Sequence, residues 1–306
     1  MKRPIRQTGL GLIELMVAIL IGLIVTAAAA SIWVTNKKTY VLQEDLGRIQ
    51  ENARFALTFL QYDARMAGYF GCTQDAPHVP TGFDSDVSMS DDTLGYPVKS
   101  DGSQLKLYYF SAQYVSVIGY PDEGDTSLTL RNSLSAIGYG PGDIIGIGNC
   151  GAAEILATDD IDSGGTELDL ASPVQVNYES VAGVVHAYLL HSAVYSVGTN
   201  TKGRAILYRD GGELVEGIEA WELLFGEDTG GTSAAPDSYV SANSVANWDY
   251  VRAIRAALLA SSTEQYGPEK DQRSYTLLDT TFDDPNDEAR RRRAFRTTLM
   301  TRNLQQ

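Results

Sequence analysis

A single carboxylate, Glu14, lies near the start of an otherwise apolar stretch of the sequence. The stretch runs from Gly9 to Val25 and has the sequence GLGLIELMVAILIGLIV. A charged side chain inside a bilayer core costs about 2.5–3.5 kcal/mol on insertion scales, so such residues are rare and are functional candidates. We therefore expect Glu14 to lie near a membrane interface, to be neutralised, or to be paired with a cation.

The chain contains two cysteines, Cys72 and Cys150, which allow one internal pairing. In an oxidising compartment a disulfide is expected, whereas in the cytosol two buried thiols are expected. The redox state of the pair therefore depends on the compartment in which the chain folds.

The sequence has no pattern that indicates catalysis. Its three histidines, His78, His186 and His191, are scattered, and a zinc site would need cysteine or carboxylate ligands beside them. The chain contains no P-loop, no dinucleotide-binding fingerprint and no Gly-x-Ser-x-Gly motif. We therefore predict that the chain is not an enzyme and that it has neither a metal site nor a cofactor.

Charged residues cluster at three places along the chain. Two acidic clusters, within residues 84–92 and 283–288, do not fit EF-hand spacing and are interpreted as solvated loop acids. The run Arg290–Arg293, with Arg296 and Arg302, is the one basic patch. Because acids lie beside it, we expect internal pairing or a contact with another subunit.

The composition excludes phosphate-backbone binding as the main activity. The chain has 306 residues and a formal net charge of −15, and nucleic-acid binding needs clustered lysine and arginine. Its length is sufficient for one or two domains with a real core. We therefore expect no direct contact with nucleic acid.

The N-terminus predicts a membrane segment. Lys2, Arg3 and Arg6 precede an uncharged run of 22 residues from Leu15 to Asn36, which is long enough to span a bilayer as a helix. The basic end would stay cytoplasmic and the rest of the chain would lie outside. Composition alone leaves a second possibility open, a secretory signal cleaved near Ala30 within the sequence AAAAS.

The segment that begins at Gly9 and continues LGLIELMV resembles the signal of type IV pilins and of type II secretion pseudopilins. The resemblance implies that a prepilin peptidase cuts between Gly9 and Leu10 on the cytoplasmic side and methylates the new amine. Glu14 would then pair with the terminal amine of a neighbouring subunit and set the registry of assembly. Leu10 departs from the family, which usually has phenylalanine at this position.

The apolar pattern after Lys37 predicts that the helix continues to about Met66. The apolar residues of this part are spaced alternately by four and three, which places them on one helical face. They are Leu42, Leu46, Ile49, Ala53, Ala56 and Leu60. Gly68 and Gly71 follow as candidate terminators of the helix.

Several later segments resemble the PilW-type minor pilins, which are related to the J-type minor pseudopilins. The segments are Glu51–Leu57, Arg65–Cys72, Pro141–Ile145 leading to Cys150, Leu214–Glu219 and Arg292–Thr298 with Asn303. The resemblance implies a periplasmic location, and hence a disulfide between Cys72 and Cys150.

From about Tyr69 onward, short β-rich runs alternate with turn residues, which predicts a mostly β domain. The candidate strands cover residues 104–109, 114–120, 127–130, 143–147, 184–190, 193–197, 205–208, 218–225 and 251–260. Composition alone leaves a helix open for the last of these. The predicted fold is α+β and pilin-like, a long N-terminal helix packed on a mostly antiparallel β-sheet domain.

The sequence and the resemblance together predict four regions and a role in assembly. The regions are a leader (1–9), a membrane or filament-core helix (10–36), an amphipathic helix (37–67) and a periplasmic β-rich domain (68–306). The resemblance implies a minor pilin that primes a type IV pilus and its tip complex, and so supports adhesion, twitching motility or DNA uptake. Its expected partners are other minor and major pilins, the prepilin peptidase and a tip adhesin, first at the inner membrane and then at the pilus tip.

Two alternatives stay open. The first is a minor pseudopilin of a type II secretion system, with the same processing but a different client. The second is a secreted β-rich binding protein cleaved near Ala30, which would lack Glu14 in its mature form.

Overall fold

The computed structural model describes residues 11–73, 77, 96–140, 143–156, 158–179, 183–230, 235–263, 265, 270–283 and 289–304. The chain divides into two compact units, Met1–Arg48 and Ile49–Gln306. The predicted helix begins in the first unit and ends in the second.

One helix, α1, runs from Leu12 to Met66 over 55 residues. In the first unit, residues 11–40 are all exposed, and the helix is long and apolar enough to cross a membrane. In the second unit, the predicted face is buried at Ile49, Ala53, Ala56 and Leu60. The prediction that this half is amphipathic is thus confirmed from Ile49 onward.

The helix ends where the sequence predicted a terminator. Gly68 has a φ of +79°, a left-handed conformation that glycine adopts without steric cost. A Cβ at this position would also lie 2.6 Å from Leu304, so a larger residue would displace the C-terminus. The main chain then turns into the β domain through a hydrogen bond from the N–H of Gly68 to the C=O of Tyr108.

Sixteen strands follow within the described residues. They are β1 (Val98–Ser100), β2 (Gln104–Ser116), β3 (Ser127–Thr129), β4 (Ile145–Gly148), β5 (Ala153–Leu156), β6 (Thr158–Ile161), β7 (Glu167–Leu170), β8 (His186–Thr199), β9 (Ala205–Arg209), β10 (Gly212–Glu216), β11 (Ile218–Glu227), β12 (Ser238–Val240), β13 (Val251–Ser261), β14 (Tyr275–Thr276), β15 (Thr281–Phe282) and β16 (Arg292–Met300).

The strands form four antiparallel sheets. The largest has seven strands, in the order β1-β2-β8-β4-β5, with β9 also paired to β8 and β10 paired to β9. A second sheet has the order β12-β11-β13-β16, and two smaller sheets have the orders β3-β7-β6 and β14-β15. Every strand pairing among the described residues is antiparallel. The α+β, pilin-like fold predicted from the sequence is confirmed.

The second half of α1 packs against both large sheets. Its buried residues share one core with Leu107 and Tyr195 of the seven-stranded sheet and with Phe225 and Leu258 of the four-stranded sheet. Three of the five buried apolar positions of the helix are alanines, and their small side chains let the helix lie close to the strands. The helix therefore bridges the inner faces of the two sheets.

Several strand predictions need correction. Residues 104–109 and 114–116 belong to one strand, β2, which ends at Ser116 and not at residue 120. The two strands predicted over 184–190 and 193–197 form one strand, β8, which begins at His186. The β2–β8 register shifts between Phe110 and Tyr114, so the predicted gap is a bulge within a continuous strand. Residues 251–260, for which a helix had been left open, lie in β13 because the segment is buried on both faces between β11 and β16. The strands β1, β5, β6, β7, β10, β12, β14, β15 and β16 were not predicted.

Candidate functional site

The first unit carries one acidic side chain in the first turn of α1, that of Glu14. Glu14 is exposed, as are the apolar residues around it. A carboxylate among solvent-exposed apolar side chains is free to meet a cation supplied by another molecule. Gly9 and Leu10, the predicted cleavage and methylation residues, lie outside the described residues.

A disulfide joins the end of α1 to the large sheet. Cys72 and Cys150 are bonded, with their Cα atoms 4.3 Å apart, and they lie just after α1 and just after β4. Beside the disulfide, the Phe70 ring packs edge-on against Phe110 of β2 at 5.2 Å between centroids. The bond and the aromatic contact together fix the chain as it leaves the helix.

A buried carboxylate, Asp63, holds the helix to the seven-stranded sheet. Its side chain is 1% exposed and lies beside the partly exposed guanidinium of Arg209. Arg209 Nε donates to Asp63 Oδ2 at 2.9 Å, and the Tyr109 hydroxyl donates to Oδ1 at 2.7 Å. The Tyr195 hydroxyl also donates to Oδ2. Both carboxylate oxygens are therefore satisfied, and charge-assisted hydrogen bonds of this kind are the strong ones.

The electrostatics of this cluster keep its two phenols neutral and its guanidinium charged. Burial raises the pKa of the Tyr109 and Tyr195 hydroxyls, and their hydrogen bonds to Asp63 raise it further. Burial alone would lower the pKa of Arg209, but the hydrogen bond and charge of Asp63 outweigh it and raise the pKa. With two neutral phenols and a charged guanidinium around it, Asp63 holds α1 to strands β2, β8 and β9.

The C-terminal segment caps the end of α1. The Asn303 side-chain amide donates to the main-chain oxygens of Arg65 at 3.1 Å, Met66 at 3.2 Å and Ala67 at 3.4 Å. The last carbonyls of a helix have no partner within the helix, and this amide supplies part of the missing donors, beside the main-chain N–H groups of Ala67 and Tyr69. The first and last elements of the β-domain unit are thereby tied together.

The predicted basic patch is largely used for internal contacts. Arg292 is buried and donates to Glu219 at 2.5 Å and to Asp271 at 3.4 Å. Burial alone would raise the pKa of Asp271, but hydrogen bonds from Arg273 and Tyr275 outweigh it and lower the pKa to about 2. The described acidic partners of Arg292 are thus Glu219 and Asp271. Most of the neighbouring acidic cluster lies outside the described residues.

The other predicted candidates occupy ordinary structural positions. His186 lies 3.3 Å from the Ser116 hydroxyl and against the Tyr114 ring, and His191 packs against Tyr109. His78 and the acids at 84–92 lie outside the described residues. Within the described part of the chain, no group of three or more metal-ligating side chains is close enough to hold an ion.

Asp63 and Asn303 were not recognised from the sequence as residues with a role. The signal for Asp63 was available, because it lies beside the buried positions Leu60 and Ala64 and so had to be buried with a partner. The identity of that partner, Arg209, is set by a contact across 146 positions of the chain, which no periodicity encodes.

The long N-terminal helix and the antiparallel sheets on which its second half packs define a pilin-like fold. The family model described as Type IV Pilus-assembly protein W matches residues 194–303. This match confirms the resemblance to PilW-type proteins predicted from the sequence, over about a third of the chain, and indicates involvement in type IV pilus assembly. No curated protein and no solved structure matches the chain.

The matched region includes the structurally important residues of the domain's second half. It contains the whole four-stranded sheet, Arg209 of the Asp63 cluster, the buried Arg292 and the capping residue Asn303. The relation to J-type pseudopilins stays a prediction.

Proposed function

We propose that this chain is a minor pilin that takes part in priming a type IV pilus and in assembling its tip complex. The observation that carries the proposal is a single helix with an exposed apolar first part and a second part docked on a domain of the PilW type. A helix that can cross a membrane, followed by an extracytoplasmic domain, is what an assembling subunit needs.

The first step of the proposed function is processing. The prepilin peptidase cuts between Gly9 and Leu10 on the cytoplasmic side of the inner membrane, and it methylates the new amine. The subunit then rests in the membrane through residues 10–36, with residues 68–306 in the periplasm and the amphipathic part, residues 37–67, between them.

The second step is registry. In the growing assembly, the Glu14 carboxylate pairs with the terminal amine of a neighbouring subunit. A carboxylate in an apolar environment is costly when alone and stabilised when paired, so the interaction favours one axial position. The exposure of Glu14 in the isolated chain supports this proposal.

The third part of the proposal is a structural role for the β-rich domain, residues 68–306. We propose that it is not an enzyme, because its polar clusters at Asp63 and at Arg292 anchor the helix and the strands to one another. Its partners are other minor and major pilins and a tip adhesin, and its assembly supports adhesion, twitching motility or DNA uptake. A role in a type II secretion pseudopilus is the second candidate, since the processing and registry steps would be the same.

The deciding experiment identifies the first residue of the mature chain. The protein is purified from membranes of its native host and analysed by intact mass and N-terminal peptide sequencing. A start at Leu10 carrying one methyl group supports the proposal. A start near Ser31 would remove Glu14 and contradict it.

Two variants separate processing from assembly. Gly9→Val should leave the leader uncut, whereas Glu14→Gln should be cut normally but fail to support pili. Glu44→Gln, an exposed change on the same helix, is the matched control. Counting pili and measuring protein secretion in a strain without the chain distinguishes the pilus from the secretion system.

A further inference from the structure

The last strand of the chain, β16, is a long and regular edge strand. It runs from Arg292 to Met300 and pairs with β13 through nine consecutive residues without a register shift. In the described part of the chain, β13 is its only strand neighbour. Natural edge strands are usually short, bulged or interrupted by proline, because an open edge is a template for another strand.

The hydrogen bonds at the two ends of the β13–β16 pairing show which main-chain groups of β16 face away from β13. The N–H of Ser262 donates to the C=O of Arg291 at 2.9 Å, and the N–H of Thr301 donates to the C=O of Arg252 at 3.3 Å. Because alternate residues of an antiparallel strand face its neighbour, the intervening odd-numbered residues bond to β13. The N–H and C=O groups of Ala294, Arg296 and Thr298 therefore point away from the sheet.

A groove of about 450 Å³ lies along this strand on the side of α1. The helix contributes Gln50, Arg54 and Gln61 to the groove, and the strand contributes Arg293, Phe295 and Thr297. All of these residues belong to the second unit. The lining mixes polar side chains with the apolar Leu57 and Phe295, and the groove is open to solvent, which suits an extended peptide.

The charge of the groove is positive. Arg54 projects from the helix and Arg293 from the strand, where its guanidinium lies over the Phe295 ring at 5.4 Å. Among the described residues, neither guanidinium is within ion-pair distance of a carboxylate. In a chain of net charge −15, two uncompensated cations facing one groove indicate an acidic ligand.

We propose that the free edge of β16 and the adjoining groove bind an extended, acidic segment of a partner subunit, which adds to the sheet as a fifth strand. The partner's main chain pairs with Ala294, Arg296 and Thr298, and its carboxylates on the helix side reach Arg54 and Arg293. In strand addition, main-chain hydrogen bonds give affinity and alternate side chains give specificity. The assignment of the partner as a pilus subunit rests on the proposed function.

The arginines have one competing explanation, namely that they protect the edge from self-association. Under that hypothesis, removing them increases self-association and leaves peptide binding unchanged. Under the proposal, removing them weakens binding of an acidic strand.

The test uses the full chain in detergent micelles and three labelled ten-residue peptides. In the first peptide glutamate alternates with threonine, in the second lysine replaces glutamate, and the third is the acidic peptide with alternate main-chain nitrogens methylated. Fluorescence anisotropy measures binding to the native chain, to a double variant Arg54→Gln with Arg293→Gln, and to the control Arg131→Gln on another surface. Hydrogen exchange is measured with and without the acidic peptide.

We expect the acidic peptide to bind, and the lysine and N-methylated peptides to bind at least tenfold more weakly. The double variant should lose at least tenfold in affinity for the acidic peptide, and Arg131→Gln should lose none. The amides of Ala294, Arg296 and Thr298 should exchange more slowly in the complex, whereas those of Phe295 and Thr297 are already slow.

The proposal is overturned if the acidic peptide does not bind at millimolar concentration, if the lysine peptide binds equally well, or if exchange at the three outward amides is unchanged. It is also overturned if the double variant only increases self-association. Each of these results leaves the proposed function intact, because that depends on the N-terminus and not on β16.

Discussion

At the scale of single residues, the docking of the helix depends on a buried ion pair as well as on apolar packing. Asp63 lies within the same helical turn as Leu60 and Ala64, which are fully buried against the sheets. Once that face is buried, the carboxylate must also leave water, and Arg209, Tyr109 and Tyr195 replace its hydration. Removing one partner of such a pair is costly, because the other is left without compensation.

The change Asp63→Ala should lower the free energy of unfolding by about 3 kcal/mol, because it leaves two buried phenols without an acceptor and Arg209 with only its ion pair to Asp210 at 3.2 Å. Chemical denaturation of the full chain in detergent measures the effect. Asp169→Ala, at an exposed position of β7, is the control and should change stability by less than about 0.5 kcal/mol. The double change Asp63→Leu with Arg209→Met should be less harmful than Asp63→Ala alone. Equal effects of the two aspartate substitutions would show that the cluster contributes little.

A second buried acid, Glu154 of β5, should make stability depend on pH. One carboxylate oxygen accepts from the N–H of Gln175 at 2.7 Å, while the other has no hydrogen-bond partner among the described residues. Burial raises the pKa of Glu154 from its ordinary value of 4.5 to about 7. The folded chain therefore holds a proton that the unfolded chain releases between these two values.

Because the folded state binds more protons, the contribution of Glu154 to stability is greatest below pH 4.5 and is lost as the pH rises to about 7. Glu154→Gln should remove this dependence and stabilise the chain by about 1–3 kcal/mol at pH 8, since each decade of pKa difference is worth about 1.4 kcal/mol. Denaturation curves at pH 5 and pH 8 measure it, with the exposed Glu123→Gln as control. A Gln variant with the same pH dependence as the native chain would exclude Glu154 as its source.

At the scale of elements, the end of α1 is defined by residues that are distant in the sequence. Gly68 allows the left-handed turn, and the Asn303 amide donates to the last two carbonyls of the helix and to that of Ala67. Leu304 fills the space that a side chain on residue 68 would need. The helix terminus and the chain terminus therefore form one packed unit.

We expect Asn303→Ala to lower the free energy of unfolding by about 1 kcal/mol, because the carbonyls at the end of α1 lose a partly buried donor. Hydrogen exchange should accelerate in the last turn of α1 more than in the strands. Asn132→Ala, an exposed asparagine outside the helix contact, is the control. A uniform acceleration throughout the domain would instead indicate a general loss of stability.

At the scale of the whole molecule, the Cys72–Cys150 disulfide closes a loop of 78 residues between the helix end and the large sheet. In the chain-entropy model, a cross-link that closes a loop of this size raises the free energy of the unfolded chain by about 4–5 kcal/mol, because the unfolded chain loses conformational entropy. The loop contains β1, β2, β3 and β4, so the bond constrains much of the seven-stranded sheet.

Substituting both cysteines by serine should lower the free energy of unfolding by about 2–5 kcal/mol. In reductant, the free energy of unfolding of the native chain should fall by a similar amount, whereas that of the double-serine variant should not change. Denaturation with and without dithiothreitol measures both effects. Native and variant chains with the same stability in oxidising buffer would show that the bond adds nothing.

Much of the architecture followed from local patterns in the sequence. The apolar run predicted the exposed first part of α1, and the four-and-three spacing predicted the buried residues Ile49 to Leu60, because helical periodicity is a property of neighbouring residues. Gly68 predicted the end of the helix for the same reason. The resemblance predicted the Cys72–Cys150 bond, which is present in the structure. The processing site and the role of Glu14 stay predictions.

The tertiary structure alone decided which distant residues meet. Arg209 reaches Asp63, Arg292 reaches Glu219 and Asn303 reaches the end of α1 only because strand pairing brings separate parts of the chain together. The alternation of inward and outward side chains along a strand is a local property. The neighbours of a strand depend on the whole sheet, so the position of β16 at the edge beside β13 is visible only in the tertiary structure. The sequence alone determined that this chain has a membrane-length apolar helix followed by a β domain. The tertiary structure determined that Asp63 pairs with Arg209 and that β16 lies at the edge of its sheet.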